Sequence, residues 1–245
     1  MNTEIKNAIQ AADSEAQYDE SAKRLLAQKY VLAHILVRTV EEFQGMEIEK
    51  VASLIEGDPY IGKVPVASGL TNKDRNVEGK RIVGLNTETG EKNEGLVRFD
   101  IIFYVRMRNG LAQMIINVEA QKDEPGSYQI LNRAIFYVSR LISSQKERDF
   151  VKSNYNDIKT VYSIWVCMNM PENSMCHIYL TKEDLLGKHN WKGNLNLVNI
   201  VMIGLTNALP ESHNEYGLHR LLCAMFSNEL SQPVSYTHLT LPTKA

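Results

Sequence analysis

The stretch VRFDIIFYVRMRNGLAQMIINVEAQKD, residues 97–123, decides the fold of this chain. Two runs rich in β-branched and aromatic residues flank Asn109-Gly110, a dipeptide that is the strongest short-range signal for a β-hairpin. If the loop is centred on this dipeptide, Asp100 lies opposite Glu119 across the two strands. The pattern therefore predicts an antiparallel hairpin that brings two carboxylates together.

The two faces of this hairpin differ in composition, because alternate residues of a strand point to the same side. One face is apolar and is predicted to belong to the core; it carries Val97, Phe99, Ile101, Phe103, Val105, Met107, Ala112, Met114, Ile116, Val118 and Ala120. The other face is mixed, with its polar groups gathered at one end; it carries Arg98, Asp100, Ile102, Tyr104, Arg106, Gln113, Ile115, Asn117, Glu119 and Gln121. Opposed Cβ atoms on such a face lie roughly 4.5–5.5 Å apart.

Two acids directly opposite each other repel, so the pairing of Asp100 with Glu119 is unfavourable unless something compensates it. A bound cation is one solution, because carboxylates from adjacent strands can both reach one Mg²⁺ at about 2.0–2.1 Å per oxygen. A solvated sheet face, on which the like charges splay apart, is the other. The geometry of the hairpin alone leaves both interpretations open.

Helical and extended patterns alternate around the hairpin. Helices are predicted over residues 20–43, 47–56, 127–147 and 216–230, and buried strands over residues 160–168 and 176–184. Asp19 is expected to cap the first helix and Gly45 to end it. The run LNLVNIVMIGLTNAL, residues 195–209, is also predicted to be helical. One of the pieces YIGKVPVA and KRIVGL within residues 58–95 is expected to be a strand of the sheet. This order indicates an α/β fold with a mixed central sheet flanked by helices.

The helix after the hairpin has a polar side and an apolar side. Its polar stripe consists of Gln129, Arg133, Tyr137, Arg140 and Ser144, and its apolar stripe of Ile130, Ala134, Val138 and Leu141. The two stripes are predicted to face opposite ways, with the apolar one on the core. The polar stripe is then either a solvated helix face or a surface that contacts phosphate and supports a site.

The hairpin and the helix that follows it resemble the PD-(D/E)XK nucleases. Their signature is an Asp early in one strand, then a hairpin, then E-x-K or E-x-Q at the end of the next strand. Asp100 in VRFD and Glu119 to Gln121 in NVEAQ supply it here. More narrowly, residues 20–230 resemble bacterial PD-(D/E)XK nuclease family transposases, also called recombination-promoting nucleases, through NVEAQKD, RAIFYVSRLISSQ and VYSIWVCM.

This resemblance implies a restriction-endonuclease-like core with a catalytic hairpin, and hydrolysis of phosphodiester bonds in DNA. Asp100, Glu119 and the carbonyl of Ala120 would bind Mg²⁺ or Mn²⁺, which lowers the pKa of a bound water and neutralises charge on the phosphate. Gln121 would position that water. Residues implied to contact DNA or to support the site are Arg133, Tyr137 and Arg140.

Two positions depart from the superfamily pattern. Gln121 stands where most members carry lysine, although E-x-Q is usual in the narrower family; glutamine takes no proton, so it can orient water without acting as a base. Phe99 replaces the Pro that gives the family its name. A second function therefore stays open, a nuclease fold that has lost catalysis and serves as a DNA-binding or protein-interaction module.

Composition limits the partners and the compartment. The net charge of −2 excludes a broadly basic nucleic-acid coat, so DNA binding requires a local basic patch. Three cysteines without zinc spacing and a polar N-terminal stretch predict a cytoplasmic protein. The apolar runs are too short to span a bilayer, so no membrane partner is expected. A homodimer stays open.

Three segments are expected along the chain. Residues 1–18 are expected to be a flexible leader, and residues 19–231 the nuclease-like domain, truncated at its C-terminal end. Residues 232–245 are expected to be a non-native tail, because PVSYTHLTLPTKA is nearly identical to a peptide that arises when sequencing-adapter DNA is translated. Such a tail should pack against nothing.

Overall fold

A computed structural model of the chain describes residues 21–61, 88–90, 96–98, 100–109, 113–146, 148–210 and 216–226. The expected leader, the cap at Asp19 and the expected tail lie outside these residues, as do KRIVGL, Phe99 and Gly110.

The elements follow one another in an alternating order. The helices are α1 (residues 21–26), α2 (Lys29–Thr39), α3 (Ile48–Leu54), α4 (Ile130–Ser143) and α5 (Gly217–Phe226). The strands are β1 (Tyr60–Ile61), β2 (Glu88–Gly90), β3 (Leu96–Arg98), β4 (Ile101–Arg106), β5 (Gln113–Gln121), β6 (Val161–Cys167), β7 (Ser174–Tyr179) and β8 (Val198–Gly204). Short 3₁₀ turns lie at Glu41–Phe43, Tyr155–Asp157 and Leu195–Leu197.

A mixed six-stranded sheet forms the centre of the fold, in the order β1-β4-β5-β6-β8-β7. The pairs β1–β4, β4–β5 and β7–β8 are antiparallel, whereas β5–β6 and β6–β8 are parallel. Strands β2 and β3 form a separate antiparallel pair. The predicted α/β class, with a mixed sheet flanked by helices, is confirmed.

The register of the hairpin is the predicted one. Arg106 pairs with Gln113 and Ile101 pairs with Val118, as a loop centred on Asn109-Gly110 requires. The strand predicted within YIGKVPVA is β1, which pairs with β4. The predicted buried strand over residues 160–168 is β6, and every residue of it is buried. The strand predicted over residues 176–184 is β7, but it ends at Tyr179 and is mostly exposed rather than buried, because it lies at the edge of the sheet.

Helices cover both faces of the sheet, which explains why its central parallel strands are apolar on both sides. The larger core joins the predicted apolar face of the hairpin to α2 and α5, through residues such as Phe103, Val118, Leu36 and Leu222. The smaller core joins Ile102, Ile115 and Trp165 to Ala134, Val138 and Leu141 of α4. Burying each large apolar side chain contributes roughly 1.5–3 kcal/mol to folding.

The first predicted helix is broken where the prediction had it continuous. Residues 27 and 28 form a turn, with Gln28 extended (φ −62°, ψ 124°), and α2 ends before Val40, which is also extended (φ −112°, ψ 115°). Gly45 lies just beyond the 3₁₀ turn at φ +74°, a left-handed conformation that glycine adopts without steric cost. The spacing of apolar residues indicates the buried face that α1, α2 and the 3₁₀ turn share, but it does not indicate the breaks between them.

The helix predicted over residues 195–209 is wrong. This run contains β8, which lies between β6 and β7. A short apolar run does not distinguish a buried strand from a buried helix by periodicity alone. None of the described helices is long and apolar enough to cross a membrane.

Candidate active site

Asp100 and Glu119 meet at one end of the β4–β5 hairpin. Asp100 lies in a bend directly before β4, and its N–H donates to Glu119 Oε1 at 3.1 Å. In the other direction, Asp100 Oδ2 accepts from the N–H of Ala120 at 2.9 Å. The Glu119 carboxylate is therefore held by the main chain of Asp100, and the Asp100 carboxylate by the main chain of Ala120, the residue after Glu119.

Glu119 carries its carboxyl group in the protein interior, with only 1% of the residue exposed. Burial raises the pKa of Glu119 well above its ordinary value, and the negative charge of Asp100 raises it further. Hydrogen bonds from the main chain of Asp100 and from Asn117, and the charge of Arg133, oppose this shift. An ionised Glu119 is thus costly in the bare protein, and a cation beside it would lower that cost.

Lys23 of α1 supplies a positive charge to the pair. Its Nζ lies 2.9 Å from Asp100 Oδ1, and both side chains are 17% exposed. Ala22 and Leu26 on the same helix are buried. Sequence reasoning missed this residue, because no motif joins it to the hairpin. The one available signal is its spacing of three from Leu26, which puts both on one side of the helix.

Gln121 is fixed by two neighbours at the end of β5. Its Nε2 donates to the carbonyl of Asp123 at 2.8 Å, and its Oε1 accepts from Arg133 Nη1 at 3.3 Å. The glutamine side chain thus links β5 to α4 two residues after Glu119.

Arg133 is surrounded by aromatic rings. Its guanidinium donates to the hydroxyls of Tyr128 at 2.8 Å and Tyr137 at 2.9 Å. It also lies 4.9 Å from the ring centre of Tyr137 and 5.3 Å from that of Trp165. Burial alone lowers the pKa of Arg133, but the hydrogen bond with Tyr137 and the charges around it, including Glu119, raise it on balance. Arg133 therefore remains charged.

The pKa of Tyr137 is shifted by the same neighbours. Burial raises its pKa, the charge of Glu119 raises it further, and the hydrogen bond with Arg133 opposes both. Its hydroxyl is therefore a neutral group at ordinary pH. The structure thus places Arg133 and Tyr137 close enough to Glu119 for their charges to interact.

The polar stripe of α4 is not a solvated face: Gln129 is exposed and Arg133 partly buried, but the rest of the stripe is buried, so the predicted opposition of the two stripes does not hold. Tyr137, Arg140 and Ser144 are buried together with the apolar stripe. Leu131, Ile135 and Phe136 occupy the exposed side of the helix. Arg133 finds a partner in Gln121 at the end of the sheet beneath α4, whereas the Ser144 hydroxyl donates to the Leu141 carbonyl of its own helix. Arg140 lies about 10 Å beyond Arg133 along the helix axis.

The residues at this end of the sheet fit a divalent cation. Two carboxylates and a main-chain carbonyl at Ala120 are hard oxygen donors, which suit Mg²⁺ or Mn²⁺ better than zinc. Mg²⁺ usually keeps several waters, so one or two carboxylates suffice to bind it. Within the described residues, no three or more His, Cys, Asp or Glu side chains are grouped as a metal site.

Comparison of the chain with protein-family models, with curated proteins and with solved structures gave no match. The resemblance to the PD-(D/E)XK nucleases therefore stays a prediction, which rests on the residues around Asp100 and Glu119.

Proposed function

We propose that this chain is a divalent-metal-dependent DNA endonuclease of the PD-(D/E)XK type, associated with recombination or mobile elements. The observation that carries the proposal is the cross-strand contact of Asp100 with Glu119, in which one carboxyl group is buried beside the other. The pair lies near the carboxyl ends of the parallel strands β5, β6 and β8. That edge is where α/β sheets commonly bind ligands.

The acid pair and the Ala120 carbonyl would hold Mg²⁺ or Mn²⁺. Such an ion lowers the pKa of a coordinated water and neutralises charge on the phosphate. Glu119 is oriented for this role by hydrogen bonds from the Asp100 main chain and from Asn117. Asn117 is itself tied to Ser163 on β6 through a 3.2 Å hydrogen bond.

Gln121 orients the attacking water in this proposal and does not accept its proton, because an amide is not a base at neutral pH. Its position is fixed by Arg133 and by the Asp123 carbonyl. Arg133 and Tyr137 support the site from α4. Arg140 is 6% exposed, which favours a role in the contact of helix with sheet over direct contact with DNA.

One observation favours a second function. Lys23 already neutralises Asp100 at 2.9 Å, so the acid pair has a compensating charge without a metal. An acid pair neutralised by lysine, together with a glutamine at position 121 that cannot act as a base, is consistent with a nuclease fold that has lost catalysis. Such a protein would serve as a DNA-binding or protein-interaction module.

Nicking of supercoiled plasmid DNA tests the endonuclease. Wild-type protein should nick with Mg²⁺ or Mn²⁺ and stop in EDTA, and Asp100→Ala should be inactive. Asp58→Ala, an exposed acid in the turn before β1, is the matched control and should nick like wild type. Cleavage by Asp100→Ala at the wild-type rate would show that the site is wrong. An inactive wild type that still binds DNA in a gel shift would favour the module.

A further inference from the structure

Lys23 and a divalent cation would compete for the same oxygen. Asp100 Oδ2 accepts from the N–H of Ala120, whereas Oδ1 faces the Lys23 ammonium at 2.9 Å. We propose that Lys23 is the internal cation of this acid pair, which a divalent ion must displace from Asp100 Oδ1 before the pair can bind it. This inference rests on the proposed function, because it concerns the same pair of carboxylates.

The charges around the pair support the exchange. Lys23 forms its ion pair with Asp100, whereas the charge of Arg133 acts on Glu119 from the other helical layer. In the bare protein, Lys23 therefore offsets the repulsion between the two acids. A divalent ion must contact carboxylate oxygen at about 2.0–2.1 Å. An ammonium on the same oxygen would repel it.

The exchange requires no movement of the helix that carries Lys23. Ala22 and Leu26 hold α1 in the core on either side of the lysine. The ammonium sits on a flexible four-carbon stem, so it can leave Asp100 while the main chain stays in place. Both charged side chains are partly open to solvent, so the displaced ammonium can be hydrated.

Titration with Mn²⁺ alone, followed by calorimetry, tests this inference without DNA. Lys23→Met removes the charge and keeps most of the stem, and should bind Mn²⁺ about tenfold more tightly than wild type. The matched control is Lys50→Met, an exposed lysine on α3. Helix α3 lies away from the acid pair, because Ile55 after it bridges to Val105 near the other end of β4. The affinity of Lys50→Met for Mn²⁺ should therefore equal that of wild type.

Melting without metal supplies a second measurement. Lys23→Met should melt below wild type in EDTA, since Asp100 loses its ion pair with Lys23, and Lys50→Met should not. Should Lys23→Met fail to fold, Lys23→Arg takes its place. A guanidinium can hold a carboxylate through two hydrogen bonds, so this variant should bind Mn²⁺ several-fold more weakly.

The outcomes separate this inference from the proposed function. Wild-type binding of Mn²⁺ with equal or weaker binding by Lys23→Met overturns the displacement and leaves the nuclease proposal standing. Unchanged affinity in Lys23→Arg overturns it in the same way. If neither wild type nor Lys23→Met binds Mn²⁺, both proposals fail. Binding by Lys23→Met alone supports the displacement and argues against metal chemistry in the wild-type protein.

Discussion

The main-chain N–H of Asp100 donates to the buried carboxyl group of Glu119 at 3.1 Å. This hydrogen bond joins the two acidic residues across the hairpin. Because Glu119 is buried beside a second acid, its pKa is raised. An ionised Glu119 therefore costs stability in the folded protein, and this has a measurable consequence.

Glu119→Gln should stabilise the metal-free protein at alkaline pH. A carboxyl whose pKa is raised in the folded state contributes its stability below its unfolded pKa, near 4.3, and loses it as pH rises through the folded value. Glutamine stays neutral and keeps an oxygen for the Asp100 N–H, so it avoids this loss. We expect a gain of about 1 kcal/mol or more at pH 8 and little gain at pH 5.

Denaturant unfolding in EDTA at both pH values measures this effect. Glu183→Gln, an exposed acid, is the control and should show no pH-dependent gain. The same Glu119→Gln protein should lose nicking activity, because the metal loses a charged ligand. A variant less stable than wild type at pH 8 would contradict the cause given for the raised pKa of Glu119.

Gln121→Ala should slow nicking without weakening Mn²⁺ binding. The side chain is held by Arg133 and the Asp123 carbonyl, so its removal affects the placement of water rather than the carboxylates. We expect a loss of about tenfold or more in rate, within the range of general catalytic groups. Single-turnover nicking and Mn²⁺ calorimetry measure the two effects. Gln28→Ala, in the exposed turn before α2, is the control; weaker Mn²⁺ binding by Gln121→Ala would make Gln121 part of the metal site.

The hairpin could be predicted from sequence because its register depends on local turn chemistry. A turn at Asn109-Gly110 accounts for the pairing of residues 101–106 with residues 113–118, and the same register extended by one residue brings Asp100 to Glu119. The helices predicted at residues 47–56 and 216–230 are α3 and, within the described residues, α5. In each case, the decisive information lies within a short stretch.

The remaining features depend on tertiary contacts that one stretch does not contain. Lys23 reaches Asp100 only because α1 packs on the larger core. β8 is a strand because it fits between β6 and β7, although its apolar run also suits a helix. Arg133 turns towards the sheet because Gln121 lies beneath it and accepts its hydrogen bond, and a helical pattern alone does not reveal that partner.

Asp149→Asn should destabilise the fold at neutral pH and not in acid. The Asp149 carboxylate accepts from Tyr104 Oη at 2.7 Å and forms ion pairs with Lys159 at 2.8 Å and Arg148 at 2.7 Å. Burial opposes ionisation of Asp149, but the charge of Arg148 and the hydrogen bonds outweigh it, so its pKa is lowered. The stability this adds is present above the unfolded pKa and is lost as pH falls through the folded value.

We expect Asp149→Asn to cost about 2 kcal/mol at pH 7, with a difference that shrinks below about pH 4. Denaturant unfolding across this range measures it. Asp184→Asn, which breaks the more exposed pair with Lys182, should cost less than about 0.5 kcal/mol. Tyr104, the β4 residue that contacts Asp149, lies four residues after Asp100 and therefore away from the acid pair. Nicking by the folded Asp149→Asn protein should therefore be unchanged. A pH-independent loss of stability would mean that packing, and not charge, is responsible.

Arg133 should govern the pH at which the acid pair binds metal. Its charge lowers the pKa of Glu119, in opposition to burial and Asp100. Arg133→Met removes this charge, so Glu119 should ionise at a higher pH, and the midpoint of Mn²⁺ binding against pH should rise.

Arg133→Lys keeps the charge but not the planar fork that reaches Tyr128, Tyr137 and Gln121. Its binding midpoint should stay near that of wild type, while its nicking rate falls about tenfold because Gln121 loses a partner. Arg38→Met, on the exposed side of α2, controls for the change of net charge. Calorimetric Mn²⁺ titrations between pH 5.5 and 8.5 provide the midpoints. Equal midpoints for Arg133→Met and wild type would show that Arg133 supports the site by packing alone, since loss of its charge would then leave Glu119 unaffected.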